Sequence, residues 1–153
     1  MIRRMNHINI NCRDLDAQLA FYLGVLGCST IVSGGRPDSG AVFEEMGSAG
    51  PRGARTEVLC IGEERRGPYL ELIQWAAEGK STIAGPRDIG MARIGFVVDD
   101  VDATYEELRG RGVNVRTAPH GGGVGDSNVR AFFFEDPEGN LLEALQFVGR
   151  GGG

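Results

Sequence analysis

The eleven residues His7-Ile8-Asn9-Ile10-Asn11-Cys12-Arg13-Asp14-Leu15-Asp16-Ala17 lie without a gap on Arg93-Ile94-Gly95-Phe96-Val97-Val98-Asp99-Asp100-Val101-Asp102-Ala103, an offset of 86 (93 − 7). Self-similarity of this kind marks a repeated structural unit. Each copy is a short alternating run followed by Asp-Leu/Val-Asp-Ala, in which an aspartate caps a helix by accepting backbone N–H bonds. Both copies therefore read as a strand followed by a helix.

The helices are expected through Ala17 to Leu26 and Ala103 to Arg111, where Leu19, Phe21, Tyr22 and Leu26, or Tyr105 and Leu108, fall mostly at helical spacing. Gly27 and Gly112 follow them, as left-handed C-caps require. A second match pairs Tyr69-Leu70-Glu71-Leu72-Ile73-Gln74-Trp75 with Leu141-Leu142-Glu143-Ala144-Leu145-Gln146-Phe147, an offset of 72 (143 − 71). The first copy thus carries about fourteen extra residues (86 − 72), which fit the glycine-rich stretch Gly34 to Gly53, a candidate lid. Further strands are expected at Ala41 to Glu45, Thr56 to Ile61, Val113 to Arg116 and Arg130 to Phe134. The chain then reads as a single domain of two modules, about 5–76 and 91–148, joined by a linker at about 77–90.

Composition agrees with a folded chain of 153 residues: 41% is hydrophobic and 24% charged, near the averages for soluble globular proteins. Net charge is −5, and the 16 basic residues are scattered rather than gathered in a stripe, which argues against nucleic-acid binding. No apolar run approaches the roughly 18 residues that a bilayer needs, and no leader pattern opens the chain, so a cytoplasmic location is expected. Cys12, Cys28 and Cys60 are odd in number, lack CxxC spacing and lie in or beside apolar segments, so they read as reduced core residues. Gly121 to Gly125 reads as a second long loop and Gly149 to Gly153 as a frayed tail. Among basic residues, Lys80 is the one lysine against fifteen arginines, which hints at a GC-rich genome and a setting in secondary metabolism or antibiotic biosynthesis.

At these residues the sequence resembles the vicinal oxygen chelate superfamily (glyoxalase, bleomycin-resistance and dioxygenase proteins). The features that carry the resemblance are the opening His7-Ile8-Asn9-Ile10 strand, Asp14-Leu15-Asp16 with Phe21-Tyr22 and Val25-Leu26-Gly27, Asp100-Val101-Asp102, and Asp136-Pro137-Glu138-Gly139-Asn140 before Leu141-Leu142-Glu143. It implies an α+β, glyoxalase-like fold: two βαβββ modules forming a half-open barrel around one pocket. A small-molecule substrate or ligand, a homodimer and no organic cofactor are implied with it.

Carried over position by position, the family's metal-ligand sites fall on His7, Glu71, Arg93 and Glu143. The implied metal set is His7, Glu71 and Glu143, which would suit Zn²⁺, Ni²⁺, Mn²⁺ or Fe²⁺. Arg93 departs from the pattern, because a guanidinium has no available lone pair and stays protonated. Either a metal manages with three ligands, or Arg93 supplies the positive charge between Glu71 and Glu143 in its place. Catalytic candidates are accordingly Glu143, Glu71, Arg93 and His7, with Glu143 foremost as the residue to carry a proton or hold the metal.

The plainer alternative makes His7 a strand histidine and both glutamates solvated surface groups. Period-two alternation argues otherwise, placing Glu71 with Tyr69, Ile73 and Trp75, and Glu143 with Leu141, Leu145 and Phe147. Asn9 is a candidate to bind substrate oxygens from the His7 face. Tyr69 and Trp75 are candidates to stack on a ligand or to pack the core, and His120, on a loop, is a candidate acid–base group or a plain exposed histidine.

Three functions follow from the resemblance. The first is an enzyme of lyase or isomerase type that moves protons next to a carbonyl or hydroxyl, by isomerisation, epimerisation, elimination or dehydrating cyclisation. The second is a non-catalytic antibiotic-binding protein. The third, an extradiol-type dioxygenase, is disfavoured by arginine at position 93.

Overall fold

A computed structural model describes residues 1–35, 53–62, 68–76, 79–83, 85–124 and 127–148. The chain divides into two compact units, Met1–Ser81 and Thr82–Gly153. In the first, β1 (His7–Asn11), α1 (Leu15–Gly24), β2 (Ser29–Gly35), β3 (Ala54–Cys60) and β4 (Tyr69–Trp75) follow one another. In the second the order is β5 (Ile94–Val97), α2 (Val101–Gly110), β6 (His120–Val124), β7 (Ser127–Glu135) and β8 (Leu141–Val148). Each unit is therefore βαβββ, and the fold is α+β with two copies of that module.

The sheets repeat the same topology, β1-β4-β3-β2 and β5-β8-β7-β6, with the first and last strands parallel and the other pairs antiparallel. Register repeats too. Asn9 lies beside Glu71 and Gly95 beside Glu143, the equivalent pair under both sequence offsets.

Local chemistry sets the helix ends. Asp14 Oδ1 accepts from Ala17 N at 3.0 Å, and Asp100 Oδ1 accepts from Asp102 N and Ala103 N, each at 3.0 Å. The expected caps are thus present, and each helix begins two residues earlier than the apolar spacing suggests because the first turn follows its cap at once. At the other end Gly112, at φ 76°, donates to Arg109 O while Val113 N donates to Leu108 O, both at 3.0 Å. This paired closure needs the left-handed conformation that glycine takes without strain.

A clip repeated in both modules shows which sheet face each helix covers. Arg55 on β3 forks onto Asp16 of α1, and Gln74 on β4 donates to the carbonyl of Arg13 at 2.5 Å. Arg130 on β7 forks onto Asp102 of α2, and Gln146 on β8 donates to the carbonyl of Asp99 at 2.6 Å. By strand alternation, Leu70 and Leu72 share the clipped face with Gln74, and Leu142 and Ala144 share it with Gln146. All four are buried, beneath helices whose Leu15, Phe21 and Tyr22, or Val101 and Leu108, are buried with them. In the second module Tyr105 meets Phe132 edge-on at 5.4 Å. Glu71 and Glu143 therefore point to the opposite face, away from the helix of their own module.

Several expectations are corrected. Gly34 and Gly35 end strand β2 rather than opening a loop. Gly121 to Val124 belong to strand β6, which His120 opens, so His120 is a strand residue and not a loop one. The reason is that backbone pairing with Ala131, Arg130, Val129, Asn128 and Ser127 holds this edge strand, and side-chain propensity, which glycine lacks, is not needed for it. Val113 to Arg116 forms a single bridge, Val115 to Phe134, instead of a strand. The expected strand at Ala41 to Glu45, most of the lid stretch and the glycine tail lie outside the described residues.

All three cysteines are free and buried, as the sequence reading requires. Burial, with Cys60 nearby, pushes the Cys28 thiol up to about 11. Among the described residues no helix is long and apolar enough to cross a membrane.

Candidate functional site

In the first module the parallel pairing of β1 and β4 aligns His7 with Tyr69, Asn9 with Glu71 and Asn11 with Ile73. Their side chains share the face away from α1. His7 Nε2 lies 3.7 Å from Glu71 Oε2, and the two differ sharply in exposure, 43% for the imidazole against 4% for the carboxylate. The Asn6 side-chain amide sits 3.2 Å from His7 Nδ1. An amide oxygen turned toward Nδ1–H would leave the Nε2 lone pair directed at Glu71, and the reverse orientation would direct an N–H there. Trp75 Nε1 donates to Asn11 Oδ1 at 2.9 Å, which sets the plane of the indole on this face.

In the second module the equivalent face carries a different chemistry. Arg93 Nε donates to Glu143 Oε2 at 2.7 Å, with side chains 44% and 16% exposed. The Arg93 guanidinium carbon stands 5.4 Å from the centroid of the Phe133 ring, and Phe133 is the strand neighbour of Glu143. The His120 ring lies 5.7 Å from the same phenyl ring. His120, Phe133, Arg93 and Glu143 thus form one cluster within this unit, whereas His7, Glu71, Asn9, Tyr69 and Trp75 share a face in the other.

The motif Asp136-Pro137-Glu138-Gly139-Asn140 is structural. The buried Asp136 accepts from Glu138 N at 3.0 Å, Asn140 N at 2.9 Å and Asn140 Nδ2 at 2.8 Å, closing the turn that leads into β8. Sequence reading missed Phe133 and the helix clips. The clips were within reach, since Gln74 and Gln146 sit at matched positions of the second repeat and Asp16 and Asp102 at matched positions of the first.

Among the described residues, no group of three or more His, Cys, Asp or Glu side chains is gathered to hold a metal ion. The donor chemistry explains why a four-ligand site does not fit. His7 and Glu71 provide two donors, Arg93 provides none, and Glu143 Oε2 is engaged by the guanidinium.

Residues 4–144 match the family model for the Glyoxalase/Bleomycin resistance protein/Dioxygenase superfamily. An Arabidopsis thaliana protein named Glyoxylase I 4 is 29% identical over 140 residues, which is 91% of this chain and 68% of that protein. Among solved structures, a glyoxalase family protein from Bacillus cereus superposes with a TM-score of 0.75 at 17% identity over 97% of each chain. The trypanothione-dependent glyoxalase I of Leishmania major gives a TM-score of 0.66 at 23% identity, over 95% of this chain and 87% of that one. At such identities the structures share the fold.

Proposed function

Because the chain belongs to the Glyoxalase/Bleomycin resistance protein/Dioxygenase superfamily, we propose that it is an enzyme doing acid–base chemistry on an oxygen-rich small molecule, of lyase or isomerase type. The observation that carries this reading is Glu71, a carboxylate with only 4% of its side chain exposed, set 3.7 Å from the imidazole of His7. A sheltered carboxylate beside an exposed imidazole suits proton abstraction next to a carbonyl or hydroxyl: Glu71 takes the proton, and His7 exchanges it with solvent. In the second module Arg93, oriented by Glu143, offers positive charge to an oxyanion. Asn9, Tyr69, Trp75 and His120 are the proposed substrate contacts.

A homodimer is proposed on the resemblance alone and a cytoplasmic setting with it, and the arginine-rich composition suggests a role in secondary metabolism. No step is assigned to a metal.

The test is deuterium exchange at carbon. A panel of small hydroxy- and oxo-compounds is incubated with the protein in D₂O, and loss of the proton next to the oxygen-bearing carbon is followed by NMR. Exchange by the intact protein and its loss in Glu71→Gln is the expected result. Tight binding of a compound without exchange would favour sequestration instead, and exchange unaffected by Glu71→Gln would remove the carboxylate from the mechanism.

A further inference from the structure

The geometry points to a receptor for an anion in the second module, with Arg93 as its recognition group and a carboxylate or similarly planar oxyanion as its ligand. The inference rests on the proposed function only for the use of that anion in turnover; the site itself stands on the residues of one unit.

Arg93 commits a single donor, Nε, to Glu143 Oε2 at 2.7 Å. Its two Nη groups have no partner among the described residues. They form the fork that matches a carboxylate with two parallel hydrogen bonds. The guanidinium is also held in place, because its carbon lies 5.4 Å from the Phe133 ring centroid. Phe133 is itself pinned by its backbone: its N–H donates to Thr117 Oγ1 at 3.1 Å, and its carbonyl accepts from Arg116 N at 2.7 Å. An arginine stacked and tethered in this way loses less freedom on binding than a free surface arginine.

Beyond Glu143, the nearby carboxylate among the described residues does not compete for the guanidinium. Glu135, on the same face by strand alternation, is taken up by Arg116 Nη1 at 2.7 Å and Asn114 Nδ2 at 2.5 Å. The strand neighbour of Glu143 on its other side is Gly95, which has no side chain to cover the carboxylate. Glu143 neutralises part of the guanidinium charge, so it tunes the receptor downward while orienting it. Phe133 is a positioning residue here and Arg93 the contacting one.

Benzoate, with benzamide as its neutral counterpart of the same shape, tests this by NMR of the arginine Nε–H signals and by calorimetry in EDTA. Benzoate is expected to bind the intact protein with benzamide at least about tenfold weaker, a difference of about 1.4 kcal/mol or more, because the charged ligand makes the stronger hydrogen bonds. Arg93→Gln should weaken benzoate at least about tenfold, Phe133→Leu more modestly, and Glu143→Gln should tighten it by releasing the full charge. The double variant Arg93→Gln, Glu143→Gln leaves no orphaned charge and serves if the single Arg93 change does not fold. Benzoate binding that is absent, equal in Arg93→Gln or the double variant, matched by benzamide, or dependent on added Zn²⁺ would overturn the proposal. Benzoate binding with the expected pattern in a protein that shows no deuterium exchange would sink the acid–base function and leave the anion receptor standing.

Discussion

Arg93 Nε and Glu143 Oε2 are 2.7 Å apart, while at the equivalent positions of the first module His7 Nε2 and Glu71 Oε2 are 3.7 Å apart. One repeat position therefore carries a permanent cation in one copy and a titratable base in the other. The repeated backbone register puts both pairs in the same place on their sheets, and side-chain chemistry makes them different.

This difference predicts the response to metal. Arg93→His removes the cation that engages Glu143 and adds an imidazole lone pair beside it, so divalent-metal affinity should rise at least about tenfold, since even an outer-shell partner of a metal ligand is worth about 10- to 100-fold. Calorimetric titration of both proteins with Zn²⁺ or Ni²⁺ measures it. Equal, tight binding by the unaltered protein would show that Arg93 does not limit metal uptake.

Replacing the carboxylates separates their roles. Glu71→Gln should lower turnover by about 10² to 10⁴ with the fold intact, as expected for a general base. Glu143→Gln should also lower turnover, through a less firmly oriented Arg93, and should leave the far-UV circular dichroism unchanged. Full activity in both variants would leave only His7, His120 or binding energy to account for the function.

Gln18 offers a test of core energetics. It is fully buried on α1, and neither its amide nitrogen nor its oxygen has a hydrogen-bond partner among the described residues. Thr104, its counterpart in α2, satisfies its hydroxyl on Asp100 O at 2.7 Å. An unsatisfied buried polar group costs about 1–3 kcal/mol. Gln18→Leu, which removes the polar atoms at little change in volume, should raise stability by about 1 kcal/mol or more in urea unfolding. A loss of stability would mean that the amide is satisfied in solution, by a buried water for example.

The Cys28 thiol gives a pH signature. Burial lifts it from 9.0 to about 11, so between these values the unfolded chain releases a proton that the folded chain retains. Stability from this group is complete below about pH 9 and is lost as pH rises toward 11. The total loss is about 2 kcal/mol, since each tenfold gain in proton affinity on folding is equivalent to about 1.4 kcal/mol before solvent screening reduces it. Urea midpoints at about pH 8 and about pH 10.5, on either side of the unfolded thiol's titration, should therefore differ more in the intact protein than in Cys28→Ala. An equal fall in both would assign the alkaline loss to other groups.

Much of the architecture was legible because it is written in local and repeated signals. Asp14 and Asp100 announce helix starts by hydrogen bonds that span three residues or fewer, and Gly112 announces an end for the same reason. The offsets of 86 and 72 mark matched first and last strands, and the observed pairing of Asn9 with Glu71 and Gly95 with Glu143 follows them. Strand alternation also puts Glu71 and Glu143 on the face away from the helices, where the proposed chemistry lies.

Sequence alone is enough for the strand–helix opening and the closing strand of each module, for the helix boundaries to within two residues, and for the equivalence of His7 with Arg93 and of Glu71 with Glu143. The folded sheets were needed to learn that Gly121 to Val124 form an edge strand, that Phe133 lies under Arg93, and that Arg93 closes on Glu143. Range separates the two. Capping and periodicity act between residues a few positions apart, whereas a glycine strand is held by backbone bonds to another strand, and a guanidinium chooses its partners from whatever ring and carboxylate two distant strands bring within reach, Phe133 on β7 and Glu143 on β8.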